Sequence, residues 1–239
     1  MYPIPAIDIR GGKCVRLAQG EYSRETVYGD DPVAMARHWQ ELGGVRLHVV
    51  DLDGAREGSP CNHDIIAAIA QALDIPVQVG GGIRDADTVE KLLALGIDRC
   101  ILGTRAAQDL EWALEMFRTF GERLILGIDA KDGKVAVKGW VETTELTATE
   151  LALQLKAAGA VRIVYTDISR DGMLTGPNVH ATARLAEDTG MAVIASGGMS
   201  AIDDLIHLSK HPGIEAAIIG RALYTGGIDL AQAAKLFTV

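Results

Sequence analysis

Cysteine is scarce in this chain of 239 residues, and the three that occur form no CxxC pair. Cys14, Cys61 and Cys100 are odd in number and widely spaced, which argues against a disulfide framework. We therefore expect reduced thiols, which are usual for a cytoplasmic protein.

Long hydrophobic runs are also missing. No stretch approaches the roughly 18 consecutive apolar residues that mark a membrane-spanning helix. Residues 1–5 lack the basic start and the apolar segment of a signal peptide, so we expect none. These absences predict a cytoplasmic location and no membrane partner.

Positive charge is in short supply, since 23 basic residues face 32 acidic ones and the net charge is −9. Such a chain is poorly suited to general binding of nucleic acids or of anionic membranes. An anionic small ligand stays compatible with this charge, because backbone N–H groups at helix N-termini bind phosphate whatever the net charge.

The motifs of several enzyme classes are absent. The six histidines form no HxH or HExxH pattern, so we expect no metal site. There is no GxSxG elbow for a serine nucleophile. The glycine run at 80–82 does not continue into GxGxxG, since position 85 is Asp85. No lysine stands in a strand interior where it would be an obvious Schiff-base former.

What the chain does have is a regular alternation of short apolar runs and longer amphipathic stretches. Runs of this kind, rich in Val and Ile, are typical of strands buried on both faces of a parallel sheet. Eight runs alternating with eight helical stretches predict an α/β fold, and the length is close to that of a (β/α)₈ barrel. The runs are residues 4–9, 45–50, 77–79, 99–102, 123–128, 161–165, 192–195 and 216–219.

An internal repeat favours the barrel over a doubly wound open sheet, which is the structural alternative. Residues 7–13 align with 128–134, and further strand-end motifs recur in the same order at offsets of 116 to 121 residues. Two (β/α)₄ halves, roughly 1–121 and 122–239, would close into one ring without an open edge. We therefore predict a single-domain TIM barrel.

Two aspartates occupy matched positions in the two halves. Asp8 and Asp129 each follow an apolar run and precede a glycine-rich turn, at the strand ends where such barrels hold their active sites. A lone aspartate there would more often cap a turn. The pairing across the barrel instead predicts an acid and a base on either side of a small substrate.

Glycine turns recur in pairs after the third and fourth strands of the barrel and after the seventh and eighth. Glycines let a backbone approach a phosphate closely, and the following helix offers free N–H groups. One such turn could be only a tight turn, but two matched pairs predict two phosphate sites and hence a bisphosphate substrate. The residues expected to bind are Gly81, Gly82, Gly103 and Thr104 in one half, and Ser196, Gly197, Gly198, Gly220 and Arg221 in the other.

Other side chains at the predicted mouth are candidates for substrate contact. Trp140, in a polar loop, either stacks on a planar ring or packs under its own loop. His48 is either a site residue or a packed core histidine. Arginines there could meet an anion, although exposed arginines are often only solvated. The full set is Arg16, His48, Arg84, Trp140, Asp167 and Arg170.

Five stretches of the chain resemble the ProFAR isomerase family (HisA) of histidine biosynthesis. They are residues 5–8, 12–17, 80–84, 139–140 and 166–173, and the resemblance extends from residue 4 to about residue 223. The run Thr-Asp-Ile-Ser-Arg-Asp-Gly-Met at 166–173 is the most specific of them.

The resemblance implies an aldose–ketose isomerisation, an Amadori rearrangement that converts ProFAR to its ribulosyl isomer PRFAR. By resemblance Asp8 would be the general base that takes a proton from C2, and Asp129 the general acid that opens the furanose ring. The family needs no metal and no organic cofactor. We expect a monomer.

Three other interpretations stay open. The cyclase family (HisF) shares the repeat and both aspartates, but its first loop differs from residues 12–17. A dual-substrate isomerase (PriA) also acts on phosphoribosylanthranilate; it keeps an arginine shortly before the loop tryptophan, where this chain has Lys138. A non-catalytic sensor of phosphate ligands would tolerate loss of one aspartate, and the presence of both argues against it.

Overall fold

Strands of this chain lie parallel in a closed ring. The computed structural model describes residues 1–137, 140 and 142–237, with the side chains of Glu142 and Thr143 left out. The strands are β1 (Tyr2–Arg10), β2 (Lys13–Ala18), β3 (Glu21–Gly29), β4 (Leu47–Asp51), β5 (Val77–Gly80), β6 (Arg99–Leu102), β7 (Leu124–Lys131), β8 (Lys134–Val137), β9 (Glu142–Thr147), β10 (Arg162–Asp167), β11 (Ala192–Ser196) and β12 (Ile214–Ile219).

Eight of these strands make the ring, in the order β1, β4, β5, β6, β7, β10, β11, β12. The last strand returns to the first, since Tyr2 of β1 pairs with Ala216 of β12 and Ile4 pairs with Ile218. All eight contacts are parallel. The predicted (β/α)₈ TIM barrel is confirmed, and the open-sheet alternative is wrong.

Helices cover the outside of the ring and carry the chain from each strand to the next. Asp31 caps the first helix through bonds from the N–H groups of Val33 and Ala34, with Pro32 at its first position. The helices are α1 (Pro32–Glu41), α2 (Leu52–Glu57), α3 (His63–Ala72), α4 (Ala86–Ala94), α5 (Thr104–Gln108), α6 (Leu110–Phe120), α7 (Ala148–Lys156), α8 (Val179–Thr189), α9 (Ile202–Ser209), α10 (Arg221–Tyr224) and α11 (Leu230–Leu236). In the described part of the chain, no helix has the length and apolar character to cross a membrane.

Alternation along the strands divides the hydrophobic core in two. One face of each strand points into the ring, where a small cluster includes Ile4, Ile125, Val164 and Ile194. The opposite face packs against the helices in a larger cluster. In β1 the inward positions continue from Ile4 to Asp8 at intervals of two residues, so the aspartate lies at the top of the packed interior.

Two antiparallel hairpins, which the sequence analysis did not predict, extend the barrel at the carboxyl ends of its first and fifth strands. β2 and β3 follow β1, while β8 and β9 follow β7. The first and fifth strands therefore run two residues past Asp8 and Asp129 before they turn. The same addition in both halves agrees with the internal repeat.

The opposite end of the ring is closed by charged side chains. Arg162 Nε donates to Oε2 of Glu215 at 2.5 Å, and the Tyr2 hydroxyl donates to Oε1 of the same residue at 3.0 Å. Arg46 donates to Asp98 at 2.6 Å. Arg99 contacts both carboxylates at 3.4 and 3.7 Å. We call these six residues the barrel floor; their distance from Asp8 and Asp129 assigns them to stability rather than to chemistry.

Candidate active site

Asp8 and Asp129 lie at the same, carboxyl-terminal end of the ring on strands that face each other. β1 and β7 are four strands apart in either direction around the barrel. Asp8 pairs with Val50 of β4, and Asp129 pairs with Thr166 of β10. The structure thus brings the two predicted carboxylates to opposite walls of one barrel mouth.

Asp8 is held by a cation. Arg16 on β2 donates through Nη1 to Oδ1 of Asp8 at 2.7 Å, and both side chains are mostly buried. Burial raises the pKa of Asp8, while the Arg16 guanidinium opposes that rise through its charge and its hydrogen bond. Arg16 therefore favours the ionised form of Asp8, which is the form that can accept a proton.

Asp129 is held by neutral donors instead. The Trp140 indole donates through Nε1 to Oδ2 of Asp129 at 2.8 Å, and Thr166 provides a second side-chain hydrogen bond. Burial raises the pKa of Asp129, and these two bonds lower it. Within the described residues no cation takes part in this balance, so Asp129 is easier to protonate than a carboxylate paired with arginine.

A third carboxylate, Asp171, joins the mouth, and the sequence analysis missed it. It lies in the loop after β10, where its backbone oxygen accepts a bond from the N–H of Gln19 at 3.2 Å. Burial, together with the negative charges of Asp8 and Asp129, raises the pKa of Asp171 to about 6, against the opposing effect of Arg16. Its position inside the specific run 166–173 was the signal available in the sequence.

The turns after β5 and β11 require glycine because neighbouring loops pack closely against their backbone. Gly81 and Gly82 have φ of 103° and 75°, and a Cβ on Gly81 would overlap the backbone oxygen of Asp51. Gly197 and Gly198 both have φ of 86°, and a Cβ on Gly197 would lie 2.8 Å from the backbone oxygen of Asp167. These positions admit only glycine for structural reasons, whether or not a phosphate binds there.

The turns after β6 and β12 share one backbone conformation but have different surroundings. Gly103 has φ −104° and ψ −111° before α5, and Gly220 has φ −103° and ψ −102° before α10. A Cβ on Gly103 would meet none of the atoms that the structure describes within 4 Å, whereas one on Gly220 would overlap the guanidinium of Arg16. The predicted phosphate residues Thr104 and Arg221 begin these two short helices.

The aspartates that end β4 and β10 hold their own loops in place. Asp51 accepts the side-chain amide of Asn62 at 2.7 Å, and Asp167 accepts that of Asn178 at the same distance. Asp167 also accepts the backbone N–H and the hydroxyl of Ser169. The geometry gives Asp167 a role in loop structure, and its contact with substrate stays a prediction.

His48 lies inside the barrel, one layer below Asp8. It is buried, pairs with Ala6 of β1, and has its Nδ1 3.0 Å from the side-chain amide nitrogen of Gln78. Burial, with a smaller contribution from the charge of Arg16, lowers the pKa of His48 to about 3, so the ring is neutral at physiological pH. The sequence left the core and site interpretations of His48 open, and the structure shows a buried residue close to the mouth.

The remaining arginines of the prediction lie around the rim, with Arg84 and Arg170 on loops and Arg221 at the start of α10. Arg84 spreads its guanidinium over Gly58, where a Cβ would overlap it. Arg170 donates to the backbone oxygen of Gly176 at 3.0 Å, and Arg221 donates to that of Gly172 at 2.6 Å. Arg170 and Arg221 therefore each tie a loop together with part of the guanidinium, and all three arginines have further N–H groups that could face an anion. Lys138, the residue compared with the dual-substrate enzymes, lies outside the described residues.

This arrangement suits proton transfer. Two partly buried carboxylates with different partners lie on opposite sides of the mouth, and a third has a pKa of about 6. Environments that favour ionisation at one carboxyl and protonation at another are the usual basis for pairing a general base with a general acid.

Comparison with known proteins points the same way. A family described as histidine biosynthesis protein matches residues 4–229. Relatives from Syntrophotalea carbinolica, Desulforamulus reducens and Chloroflexus aggregans are 53%, 52% and 54% identical to this chain. The matches cover 99%, 98% and 96% of this chain and 98%, 96% and 95% of the relatives. Each relative is named as a 1-(5-phosphoribosyl)-5-((5-phosphoribosylamino)methylideneamino) imidazole-4-carboxamide isomerase.

Proposed function

The chain belongs to the histidine biosynthesis protein family, and on that premise we propose that it isomerises ProFAR to PRFAR. The reaction is an aldose–ketose isomerisation, an intramolecular redox change that moves protons and needs no external oxidant. The single observation that carries its mechanism is the pair Asp8 and Asp129 on opposite strands of one barrel mouth.

Asp8 is proposed as the general base that removes the proton from C2 of the opened sugar. The charge of Arg16 at 2.7 Å supports this role, because it favours an ionised carboxylate able to accept a proton. Burial acts in the opposite direction and makes the carboxylate a stronger base than it would be in water.

Asp129 is proposed as the general acid that protonates the furanose ring oxygen and so opens the ring. Burial supports a protonated resting form of Asp129, and its neutral hydrogen-bond partners oppose that form less than a paired cation would. After the proton is transferred, the Trp140 indole and Thr166 can stabilise the carboxylate that remains.

Asp171 is a second candidate for the proton donor. Its pKa of about 6 is close to the value at which a carboxyl can both hold a proton and release it near neutral pH. Because it responds to the charges of both Asp8 and Asp129, it lies near the proposed path of the proton. Variants at all three positions separate these roles.

The substrate is a small molecule with a phosphate at each end. We propose that one phosphate binds at Gly81, Gly82, Gly103 and Thr104, and the other at Ser196, Gly197, Gly198, Gly220 and Arg221. Fixing both ends would hold the reacting sugar between the carboxylates, which is how binding away from the reacting atoms assists catalysis. Trp140 is proposed to contact the planar part of the substrate, with Arg16, His48, Arg84, Asp167 and Arg170 as further contacts.

The proposal includes a monomeric enzyme of the cytoplasm that works without a metal or an organic cofactor. Free thiols at the buried Cys14 and Cys100 and at the exposed Cys61 agree with a reducing compartment.

Turnover of ProFAR by aspartate-to-asparagine variants tests the proposal. Asp8→Asn and Asp129→Asn should each lower kcat by about 10²–10⁴-fold, the usual contribution of a positioned acid or base. Asp132→Asn is a matched control, since Asp132 is an exposed carboxylate three residues from Asp129 with φ of 52°, which asparagine tolerates. Near-normal turnover by Asp8→Asn or Asp129→Asn would show that the role assignment is wrong.

Two further measurements address the alternatives. Assaying ProFAR and phosphoribosylanthranilate side by side distinguishes a single-substrate from a dual-substrate isomerase, and absence of turnover of both supports a non-catalytic sensor. A structure with bound substrate should place its phosphates at the two glycine sites, and phosphates found elsewhere would disprove the two-site proposal.

A further inference from the structure

Arg16 touches the site in two places at once. Its Nη1 donates to Oδ1 of Asp8 at 2.7 Å, while the rest of the guanidinium lies against the Cα of Gly220 on the neighbouring strand end. Gly220 has no side chain, and Arg16 fills the space that a Cβ would need. One cation therefore links the proposed base to the proposed second phosphate site.

Among the described residues, the other half of the barrel has no such link. Gly103 repeats the backbone conformation of Gly220, yet a Cβ there would meet no described atom within 4 Å. In the described part of the chain, the glycine at Gly220 is therefore covered by a guanidinium bonded to a carboxylate, and the glycine at Gly103 is not. The repeat offers a built-in comparison between a linked and an unlinked site.

Arg16 can serve both partners without moving far. A guanidinium has five N–H groups in a fixed plane, so one edge can stay on Asp8 while another meets a phosphate. The side chain is mostly buried, which strengthens its interactions with nearby charges. Five other titratable groups interact electrostatically with Arg16 or Asp8. They are Asp171 after β10, Tyr224 on α10, Tyr28 on β3, His48 on β4 and Cys14 on β2.

We propose that Arg16 is a positioning residue that couples the substrate phosphate bound at Gly220 to Asp8, so that phosphate binding strengthens Asp8 as a base. This inference rests on the proposed function and adds regulation of the same site by its own substrate. Without phosphate, Arg16 favours the ionised form of Asp8 against the effect of burial. A phosphate dianion shares the guanidinium charge and adds negative charge nearby, and both effects make the carboxylate bind a proton more tightly.

The coupling can be measured without turnover. Asp8 is followed by ¹³C NMR of its carboxyl carbon during pH titration, assigned by comparison with Asp8→Asn, with and without saturating inorganic phosphate. In the wild-type protein, phosphate should make Asp8 bind its proton about tenfold more tightly. In Arg16→Met the same phosphate should change the affinity less than about twofold, since the shared cation is gone.

Gly220→Ala and Gly103→Ala form a matched pair. Both add a Cβ at the same backbone conformation, but only the first displaces the guanidinium of Arg16. Gly220→Ala should therefore reduce the phosphate effect on Asp8, while Gly103→Ala leaves it at the wild-type size. The two glycines share one backbone conformation, so a difference between the variants reports on Arg16.

Several results would overturn the coupling. They are an Asp8 titration that phosphate does not alter, an equal response in Arg16→Met, equal behaviour of the two glycine variants, and absence of phosphate-induced shifts at the amides of Gly220 and Arg221. Absence of the amide shifts would also contradict phosphate binding at Gly220 and Arg221. The other three results leave the proposed turnover of ProFAR untouched, so the two failures are distinguishable.

Discussion

The indole nitrogen of Trp140 donates a 2.8 Å hydrogen bond to Oδ2 of Asp129. Trp140 holds φ of 73°, which is unfavourable for a large side chain. Its ring packs on the first hairpin at Gly20, where a Cβ would lie 2.6 Å from the ring. A strained backbone that delivers a hydrogen bond to a buried carboxylate is typical of a residue held in place for function.

The variant Trp140→Phe tests the hydrogen bond from Trp140 to Asp129, because phenylalanine keeps an aromatic ring but has no N–H. We expect the pKa of Asp129 to rise, since a donor to its ionised form is lost. We expect kcat/KM for ProFAR to fall about tenfold or more, in line with the ~1.5–3 kcal/mol of a hydrogen bond to a charged group. The pH dependence of kcat/KM measures both effects, and an unchanged profile would contradict the assigned role of Trp140.

Asp171 should make the fold less stable above pH 6 than below it. Burial is the main reason that its pKa rises to about 6, above the usual value of an aspartate in an unfolded chain. A carboxyl with a raised folded-state pKa contributes its full stability below the unfolded value, and that contribution is lost as the pH rises through about 6.

Asp171→Asn removes this titration. The melting temperature of the variant should exceed that of the wild type by about 2 °C or more at about pH 7.5, with a smaller gap at about pH 5. Thermal unfolding at the two pH values measures the gap. A difference that stays constant with pH would mean that the carboxyl does not titrate as inferred.

Gly81 should resist substitution more strongly than other glycines with positive φ. A Cβ at Gly81 would overlap the backbone oxygen of Asp51, whereas at Gly226, with φ of 75°, it would meet no atom of a described residue within 4 Å. Gly81→Ala should lower the free energy of unfolding by about 3 kcal/mol or more, and Gly226→Ala by about 1 kcal/mol. Urea unfolding compares the two variants, and equal losses would show that the loop at Asp51 yields easily.

The barrel floor offers a test of stability away from the mouth. Glu215 accepts from Arg162 and Tyr2 and lies 3.7 Å from Arg99, in a largely buried setting. Glu215→Gln should lower the free energy of unfolding by about 3 kcal/mol, because it leaves buried arginine charge without its carboxylate.

Glu145→Gln is the control for that change. Glu145 pairs with Lys134 at 2.7 Å but is almost fully exposed, and exposed ion pairs contribute little. Its loss should change the free energy of unfolding by less than about 0.5 kcal/mol. Urea unfolding measures both variants, while ProFAR turnover at a permissive temperature should be similar in the two. Equal unfolding energies would show that the floor is hydrated and adaptable.

The sequence was sufficient to predict the barrel because its strands are buried on both faces. Continuous Val- and Ile-rich runs and the repeated strand ends carry that information locally. The same repeat predicted that Asp8 and Asp129 would face each other, since equivalent positions in two half-barrels lie on opposite walls. These features follow from the order of residues along the chain.

The hairpins and Asp171 could not be predicted in the same way. β3 is polar and mostly exposed, so its residues show no buried face from which a strand could be inferred. Asp171 acquires its raised pKa from burial and from carboxylates far away in the sequence. The contact between Arg16 on β2 and Gly220 before α10 likewise joins residues that are more than two hundred positions apart in the sequence.

Every barrel strand is paired on both sides because the ring is closed, but β3, in the hairpin that follows β1, has one free edge. β3 pairs with β2 alone in the described structure. A free edge invites pairing with another chain, and charged side chains are the usual defence. Glu21, Arg24 and Glu25 supply such charges along β3. The hairpin of β2 and β3 that brings Arg16 to Asp8 thus also protects against edge-to-edge aggregation. Its outer strand contributes charges that keep the protein soluble, while its inner strand contributes the arginine proposed to act on the substrate.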